Sequence, residues 1–172
     1  MKTVLIGYMG SGKSTIGRLL AKKKNSPFID LDDYIEDKEK MTVSEIFEMK
    51  GEIYFRKQEH FYLKEILALK QDFVVSLGGG TPCYASNMDI LIADKNATSV
   101  YLKTSIATIV QRLTNEKNQR PLVARLKEED LHEFIAKHLF ERSYFYHQAK
   151  HLLTVDAKKV TEIVTELALL VD

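Results

Sequence analysis

Apolar and polar positions alternate along the chain in two distinct patterns. Short apolar runs, typical of buried strands, occur at 3–6, 28–29, 73–77, 98–102 and 151–155. The segments between them carry apolar residues at helical spacing, as at Ile16, Leu19 and Leu20 in the first of them. Further helices are predicted over 52–70, 87–94, 128–149 and 160–171. The sequence therefore predicts five strands that alternate with helices.

Strands that alternate with helices are typical of a doubly wound parallel sheet with right-handed crossovers. We expect one such α/β domain over residues 1–172. Ligands of these sheets bind beyond the carboxyl ends of the strands. This rule brings three stretches to one edge of the sheet, at 7–14, 30–33 and 78–80. The polar segment 114–125 is too long for a plain connection, so we predict that it forms a mobile lid.

Composition narrows the classes of protein that fit. The chain has 172 residues, with 45% hydrophobic and 28% charged residues and a net charge of +1, as in an ordinary globular domain. The balanced charge argues against a nucleic-acid partner. The single cysteine, Cys83, excludes an internal disulfide and a cysteine-rich zinc site. Neither a membrane-spanning run nor room for a signal peptide is visible, so we expect a cytoplasmic protein without a membrane partner.

A glycine-rich loop joins the first predicted strand to the first predicted helix. Its sequence over 7–14, GYMGSGKS, has the G-x-x-x-x-G-K-S spacing of a phosphate-binding loop. Main-chain N–H groups and the following helix start would bind phosphate oxygens. Lys13 is expected to reach the β- and γ-phosphates of ATP, and Ser14 to ligate Mg²⁺. The strand–loop–helix context makes a chance match to a glycine-rich turn a weak alternative. The expected nucleotide-binding residues are Gly10, Ser11, Gly12, Lys13, Ser14 and Thr15.

Asp30 and Asp32 follow the second predicted strand, at the same edge of the sheet. P-loop proteins place a carboxylate near Mg²⁺, and the strands ending at Ser76 and Leu102 offer none. One aspartate is expected to hold Mg²⁺ through water, and the other to orient an acceptor hydroxyl for attack. An acidic helix start would give the same pattern without any function. The neighbouring phosphate-binding loop favours the functional interpretation.

Gly78, Gly79 and Gly80 close the third predicted strand. Three glycines cost conformational entropy and contribute no side-chain packing. They suit a place where a ligand approaches the main chain closely, although a flexible turn is the alternative.

Four arginines are candidates for anion binding, namely Arg56, Arg112, Arg120 and Arg142. A single arginine is most often a surface residue, but guanidinium groups also bind carboxylates and phosphates in a bidentate manner. Arg120 lies in the predicted lid and is expected to reach the transferring phosphate, since closing loops often supply a cation there. Arg112 precedes the lid and is expected to contact the nucleotide. Together these residues predict a small-molecule kinase whose acceptor carries an acid group and hydroxyls.

The ordered set of these motifs closely resembles the shikimate kinase family. It runs from Leu5 to about Asp156 and comprises 7–15, Asp30-x-Asp32, Gly51-x-x-x-Phe55-Arg56, Ser76-Leu77 with the glycine triplet, Arg120-Pro121-Leu122 and Arg142-x-x-x-Tyr146-x-x-Gln148-Ala149. The phosphate-binding loop alone indicates only a superfamily, whereas the ordered set is much more specific. The resemblance implies a P-loop three-layer α/β/α fold like that of nucleoside monophosphate kinases. It also implies a substrate-binding region at about 31–60 and a lid at about 114–125.

The resemblance further implies phosphorylation of the 3-hydroxyl of shikimate by ATP, in chorismate and aromatic amino-acid biosynthesis, by a monomer. It implies that Asp32 binds the shikimate hydroxyls and is the candidate base, and that Asp30 is the carboxylate that holds Mg²⁺ through water. Asp33 adds a third carboxylate, which leaves this division of roles open. Arg56 and Arg142 would grip the shikimate carboxylate. The remaining implied roles are Gly78, Gly79 and Gly80 as the main-chain wall, Phe47 and Phe55 as pocket lining, Glu59 beside Arg56, Arg120 with Lys13 in catalysis, and Arg112 near adenine.

Other functions fit parts of the pattern. A kinase for gluconate or a nucleoside monophosphate could share the same fold, but the two arginines and the glycine triplet favour an acceptor with a carboxylate. A nucleotide-dependent switch such as a GTPase would need an Asn-Lys-x-Asp motif, which the sequence lacks. A non-catalytic relative is not indicated, because Lys13, Asp32, Arg56 and Arg120 are all present.

Overall fold

A parallel sheet forms the centre of the molecule. The computed structural model describes residues 1–115 and 128–171. Within them lie five strands, β1 Lys2–Ile6, β2 Phe28–Asp30, β3 Phe73–Ser76, β4 Ala97–Lys103 and β5 His151–Thr154. All neighbouring strands pair in parallel, in the order β2-β3-β1-β4-β5. The predicted doubly wound parallel sheet is therefore confirmed.

Helices connect the strands and cover both faces of the sheet. They are α1 Lys13–Lys23, α2 Leu31–Glu39, α3 Val43–Leu67, α4 Asn87–Ala93, α5 Ile106–Asn115, α6 Glu128–Tyr146 and α7 Val160–Leu170, with a 3₁₀ turn at Thr81–Cys83. None of the helices in the described part of the chain is both long and apolar enough to cross a bilayer. Of the predicted lid at 114–125, only Thr114 and Asn115 are described, and they end α5.

Two apolar clusters hold the three layers together. Val4 and Ile6 of β1 point into one cluster, with residues of α3, α5 and α6, while Leu5 points into the other with residues of α1 and α7. β1 lies in the middle of the sheet and alternates between the two faces, which explains why residues 3–6 form an unbroken apolar run. The sheet is thus sandwiched between two helical layers.

β2 differs from its prediction as a buried strand. Its residues are only half-buried, because β2 pairs with β3 alone and forms one edge of the sheet. Its last residue, Asp30, is also the N-cap of α2, and its side chain accepts a hydrogen bond from the Asp32 N–H. The acidic helix start considered above therefore exists, and it places both aspartates in the first turn region of α2.

α3 is kinked at Gly51. Thr42 and Glu45 form a capping box at the start of the helix. At Gly51 the backbone leaves helical geometry, with φ 83° and ψ 169°, and a second helical segment continues to Leu67. The kink separates a first segment that carries Phe47 from a second that carries Arg56. The helix after the kink ends slightly before the predicted limit at residue 70.

Candidate functional site

A cleft of about 500 Å³ opens at the carboxyl ends of the strands. Most of the predicted site residues line it, namely Gly10, Ser11, Gly12, Lys13, Ser14, Thr15, Asp30, Asp32, Gly78, Gly79 and Arg112. The three stretches that sequence reasoning assigned to this edge therefore meet in one place. This convergence follows from the parallel sheet, because β1, β2 and β3 are neighbours and all end at the same edge.

The phosphate-binding loop has the backbone geometry that its glycines predict. Gly10 and Gly12 have φ of 75° and 89°, and Gly12 is the N-cap of α1. A side chain would be strained in this left-handed region, so glycine permits the tight turn into the helix. The Lys13 ammonium group donates hydrogen bonds to the carbonyls of Gly7 at 2.9 Å and Tyr8 at 3.0 Å. A positive charge is thus held inside the curve of the loop, beside the helix start.

Ser14 and Asp30 lie in direct contact. The Ser14 hydroxyl donates a 2.7 Å hydrogen bond to one carboxylate oxygen of Asp30, and the other carboxylate oxygen accepts the Asp32 N–H. Hydroxyl and carboxylate oxygens are the ligands that Mg²⁺ prefers. The two residues that sequence reasoning assigned to Mg²⁺ therefore form one oxygen-rich corner of the cleft.

Asp32 lies in an environment that favours its protonated form. Burial, and after it the negative charges of Asp30 and Glu59, raise its pKa to about 7, while the positive charge of Lys13 acts in the opposite direction. A carboxyl group with a pKa near neutral pH is well suited to accept a proton during a reaction. Asp33, the third carboxylate of this stretch, points away from the cleft and lies 3.8 Å from Arg18, with 70% of its side chain exposed. This placement supports Asp32 over Asp33 as the residue beside the acceptor.

The glycine triplet lies against three predicted site residues. A Cβ on Gly78 would lie 3.0 Å from an Asp32 carboxylate oxygen, and one on Gly79 would lie 3.1 Å from Nη1 of Arg142. A Cβ on Gly80 would lie only 2.8 Å from Nη2 of Arg56. None of these glycines has a positive φ. Their role is therefore to let the charged groups approach the main chain, rather than to permit an unusual backbone conformation.

Arg56 is held by a buried carboxylate, as the resemblance implied. Its Nη1 donates a 2.9 Å hydrogen bond to Glu59, whose side chain is 1% exposed. The guanidinium carbon lies 4.0 Å from the centre of the Tyr84 ring and 5.2 Å from that of Phe55. These contacts fix the plane of the guanidinium group beside Gly80. Phe47 packs against Phe55 with ring centres 4.7 Å apart, so both predicted lining residues adjoin Arg56.

Arg142 reaches the site from α6. Its guanidinium carbon lies 5.7 Å from the centre of the Tyr8 ring in the phosphate-binding loop. Tyr146, one turn later on α6, donates a 2.6 Å hydrogen bond to the Gly79 carbonyl. Tyr8 also forms a 3.0 Å hydrogen bond with His138 of the same helix. α6 is therefore joined to both the phosphate-binding loop and the glycine triplet.

The segment after β5, which the resemblance places near adenine without any recognisable motif, lines another part of the cleft. Arg112 donates a 2.8 Å hydrogen bond to the Gly10 carbonyl, so its side chain lies beside the phosphate-binding loop, and its contact with the nucleotide stays a prediction. Lys158, Val160 and Ile163, from the segment after β5 and the start of α7, line the cleft there. Their sequence carries no phosphate or base-binding motif, and the apolar residues resemble ordinary core positions of a helix.

Asp156 joins that segment to the start of α5. Its carboxylate accepts hydrogen bonds from the Ser105 N–H, the Ser105 hydroxyl at 2.8 Å and the Thr108 hydroxyl at 2.7 Å. These bonds lower the pKa of Asp156, although its partial burial opposes them. These bonds join the segment that carries Lys158 to the start of α5, the helix that carries Arg112.

Arg120 lies outside the described residues, so its predicted place at the transferring phosphate stays a prediction. Cys83 lies near the glycine triplet, and burial raises the pKa of its thiol to about 11. The thiolate is the reactive form of cysteine, so this environment disfavours a chemical role for Cys83.

Comparisons with known proteins agree with this geometry. The model of the family described as shikimate kinase matches residues 9–171. The chain is 51% identical over 166 residues to the shikimate kinase of Flavobacterium psychrophilum, with 96% of each protein covered.

Solved structures give the same result. The crystal structure of shikimate kinase from Bacteroides thetaiotaomicron has a TM-score of 0.91 and 36% identity, covering 99% of this chain and 97% of that one. Shikimate kinase from Acinetobacter baumannii in complex with shikimate has a TM-score of 0.87 and 31% identity, covering 99% and 92%. The predicted P-loop three-layer fold is therefore confirmed.

Proposed function

The chain belongs to the shikimate kinase family, and we propose that it transfers the γ-phosphoryl group of ATP to the 3-hydroxyl of shikimate, giving ADP and shikimate 3-phosphate. The observation that carries this proposal is the arrangement at the glycine triplet. Asp32, Arg142 and Arg56 each lie against one glycine, next to the phosphate-binding loop. This arrangement sets a hydroxyl-binding carboxylate and two carboxylate-binding guanidinium groups beside a phosphate donor.

The phosphate-binding loop and Arg112 hold the nucleotide. Main-chain N–H groups of residues 10–15 and the start of α1 bind its phosphate oxygens. The Lys13 ammonium group neutralises the charge that develops on the γ-phosphoryl group. Ser14 and Asp30 would hold Mg²⁺, which supplies further neutralisation of the phosphates when bound. Arg112, together with Lys158 and Val160, forms the wall near the base.

Shikimate is bound by its two kinds of polar group. Arg56 and Arg142 pair with the carboxylate, because guanidinium groups form charge-assisted hydrogen bonds with carboxylates. Asp32 accepts a hydrogen bond from the ring hydroxyls and takes the proton of the attacking 3-hydroxyl as the oxygen–phosphorus bond forms. Its raised pKa of about 7 suits this transfer at neutral pH. By resemblance, Arg120 reaches the transferring phosphate from the lid at 114–125.

We further propose that the chain acts as a single-domain monomer in the cytoplasm, in the synthesis of chorismate and aromatic amino acids. The described parts of the cleft come from one sheet and its connections, which supports a site completed within one chain.

The experiment is an assay of ADP release with shikimate, gluconate and nucleoside monophosphates as alternative acceptors. We expect turnover with shikimate only, with shikimate 3-phosphate identified by mass spectrometry. Arg56→Ala is expected to raise KM for shikimate with little change in KM for ATP. Absence of turnover with shikimate would contradict the proposed substrate, and an unchanged KM in Arg56→Ala would contradict the role of Arg56.

A further inference from the structure

A closed ring of hydrogen bonds lies directly behind Arg56. The Thr81 hydroxyl donates to one carboxylate oxygen of Glu59 at 2.6 Å, and the other oxygen accepts from Arg56. The Asn87 side-chain N–H donates to the Thr81 carbonyl at 2.8 Å. The Asn87 carbonyl oxygen lies 2.8 Å from Nδ1 of His60, the residue that follows Glu59 in α3. The ring thus begins and ends on neighbouring residues of one helix.

The three central residues of the ring are removed from water, while Arg56 and His60 are partly buried. Thr81 and Asn87 are 0% exposed, and Glu59 is 1% exposed. A buried carboxylate depends on its hydrogen-bond partners, because removing one leaves an unsatisfied oxygen that water cannot reach. Thr81 therefore has a direct influence on where the Glu59 carboxylate lies. The orientation of Glu59 in turn sets that of the Arg56 guanidinium group.

The same ring also fixes the main-chain wall of the acceptor site. Thr81 follows the glycine triplet, and its N–H donates to the Gly78 carbonyl at 3.1 Å. The Cys83 N–H closes the turn on the Gly80 carbonyl at 2.9 Å. Gly80 lies against Arg56 and Gly78 against Asp32. One threonine is therefore connected through its side chain to Arg56, and through its main chain to the glycine that faces Asp32.

We propose that Thr81 is a positioning residue for the acceptor carboxylate, acting through Glu59 on Arg56, and that Asn87 holds Thr81 in place. Thr81 itself does not touch the substrate in this role. The proposal rests on the proposed function, because it assumes that Arg56 binds the carboxylate of shikimate. It predicts a defect confined to the acceptor, since within the described residues the hydrogen bonds of the ring do not extend to the phosphate-binding loop.

The test compares Thr81→Val, which removes the hydroxyl but keeps the shape, with Thr81→Ser, which keeps the hydroxyl. We expect Thr81→Val to raise KM for shikimate about tenfold or more, because this is the usual effect of losing a hydrogen bond to a charged group. KM for ATP and kcat should change less than about twofold. Thr81→Ser should stay close to wild type. If Thr81→Val fails to fold, Thr81→Ala removes the same hydroxyl with a smaller side chain and is expected to show the same selective defect.

Thr3→Val is the matched control, because Thr3 is also buried, at 1% exposure, and its hydroxyl has no hydrogen-bond partner among the described residues. It should keep the wild-type KM for shikimate. An unchanged KM in active Thr81→Val, an equal loss in Thr81→Ser, or an equal rise in KM for ATP would overturn the proposal. Wild-type protein is assayed alongside, since its failure to phosphorylate shikimate would instead overturn the proposed function.

Discussion

Ser14 and Asp30 meet through a 2.7 Å hydrogen bond, although they lie sixteen positions apart in the chain. Ser14 ends the phosphate-binding loop that follows β1 and lies in the first turn of α1, and Asp30 is the last residue of β2. β3 lies between these two strands in the sheet, so the contact is made beyond its carboxyl end. The contact joins two residues whose chemistry independently suggests Mg²⁺ binding.

Asp30→Asn is therefore expected to weaken the use of Mg²⁺. Asparagine remains a good N-cap, so the start of α2 should be preserved while the carboxylate charge is lost. We predict that the Mg²⁺ concentration for half-maximal activity rises about tenfold or more, the usual effect of losing a supporting ligand. The measurement is a Mg²⁺ titration at saturating ATP and shikimate. Asp33→Asn, on the exposed neighbour, is the control, and an equal shift there would contradict the assignment of Asp30.

The pKa of Asp32 predicts how activity depends on pH. As a base, this carboxyl must have lost its proton, so kcat/KM for shikimate should rise with pH and level off above about 7. Asp32→Asn should lower kcat by about a hundredfold or more and remove this part of the profile. The measurement is kcat/KM for shikimate from about pH 5.5 to about pH 9, a range that brackets neutral pH, in a buffer of constant ionic strength. A wild-type profile that stays flat across neutral pH would exclude Asp32 as the base.

The same substitution should make the protein more stable. The pKa of Asp32 is raised in the folded state, so its ionisation favours the unfolded chain as pH rises. The resulting destabilisation of the folded protein begins at about pH 4, where Asp32 of the unfolded chain loses its proton, and is complete near pH 7. The melting temperature of Asp32→Asn relative to wild type should therefore increase between these values and stay constant above them. Asp37→Asn, on an exposed residue whose pKa is lowered, should show no such increase.

The sequence predicted the fold and the phosphate half of the site well, for a physical reason. Residues 7–14 are a contiguous motif, and their strand–loop–helix context is local. β1, β3 and β4 were recognised because the inner strands of a parallel sheet are buried on both faces and give unbroken apolar runs. β2 was wrongly predicted as buried, because its short apolar sequence does not reveal that it lies at the edge of the sheet.

The acceptor half depended on resemblance, because its contacts join distant parts of the chain. No periodicity connects Arg56 with Gly80, or Thr81 with Glu59, yet these pairs touch in the folded protein. Sequence reasoning gave Asp156 no contact, whereas in the structure its bonds to Ser105 and Thr108 join the segment after β5 to the start of α5. Such pairs arise from topology, which brings the strand ends together only after the sheet has formed.

Gly80→Ala tests whether the triplet provides space rather than flexibility. Gly80 has φ −85° and ψ −22°, which alanine adopts easily, but the added methyl group would lie 2.8 Å from Nη2 of Arg56. We expect Arg56 to be displaced, so KM for shikimate should rise about tenfold or more, while KM for ATP stays near wild type. Steady-state kinetics with each substrate varied separately provides the measurement. A loss of stability without any change in KM would show that Gly80 has a structural role only.

Gly51→Ala is the opposite case, because there is space for a methyl group but alanine does not readily adopt the backbone conformation of Gly51. No atom lies within 4 Å of the position that a Cβ would take on Gly51, but φ 83° with ψ 169° belongs to a region that is essentially restricted to glycine. Alanine there should destabilise the protein by about 1–3 kcal/mol, which lowers the melting temperature by roughly 2–12 °C at this chain length. Thermal unfolding followed by circular dichroism provides the measurement. Ala68→Gly, at the C-cap of α3 with ordinary helical φ and ψ, is the control and should cost no more than about 1 kcal/mol. An unchanged melting temperature in Gly51→Ala would mean that the kink between Phe47 and Arg56 relaxes to a continuous helix. KM for shikimate should then change, because the two residues would no longer keep their relative positions beside the acceptor.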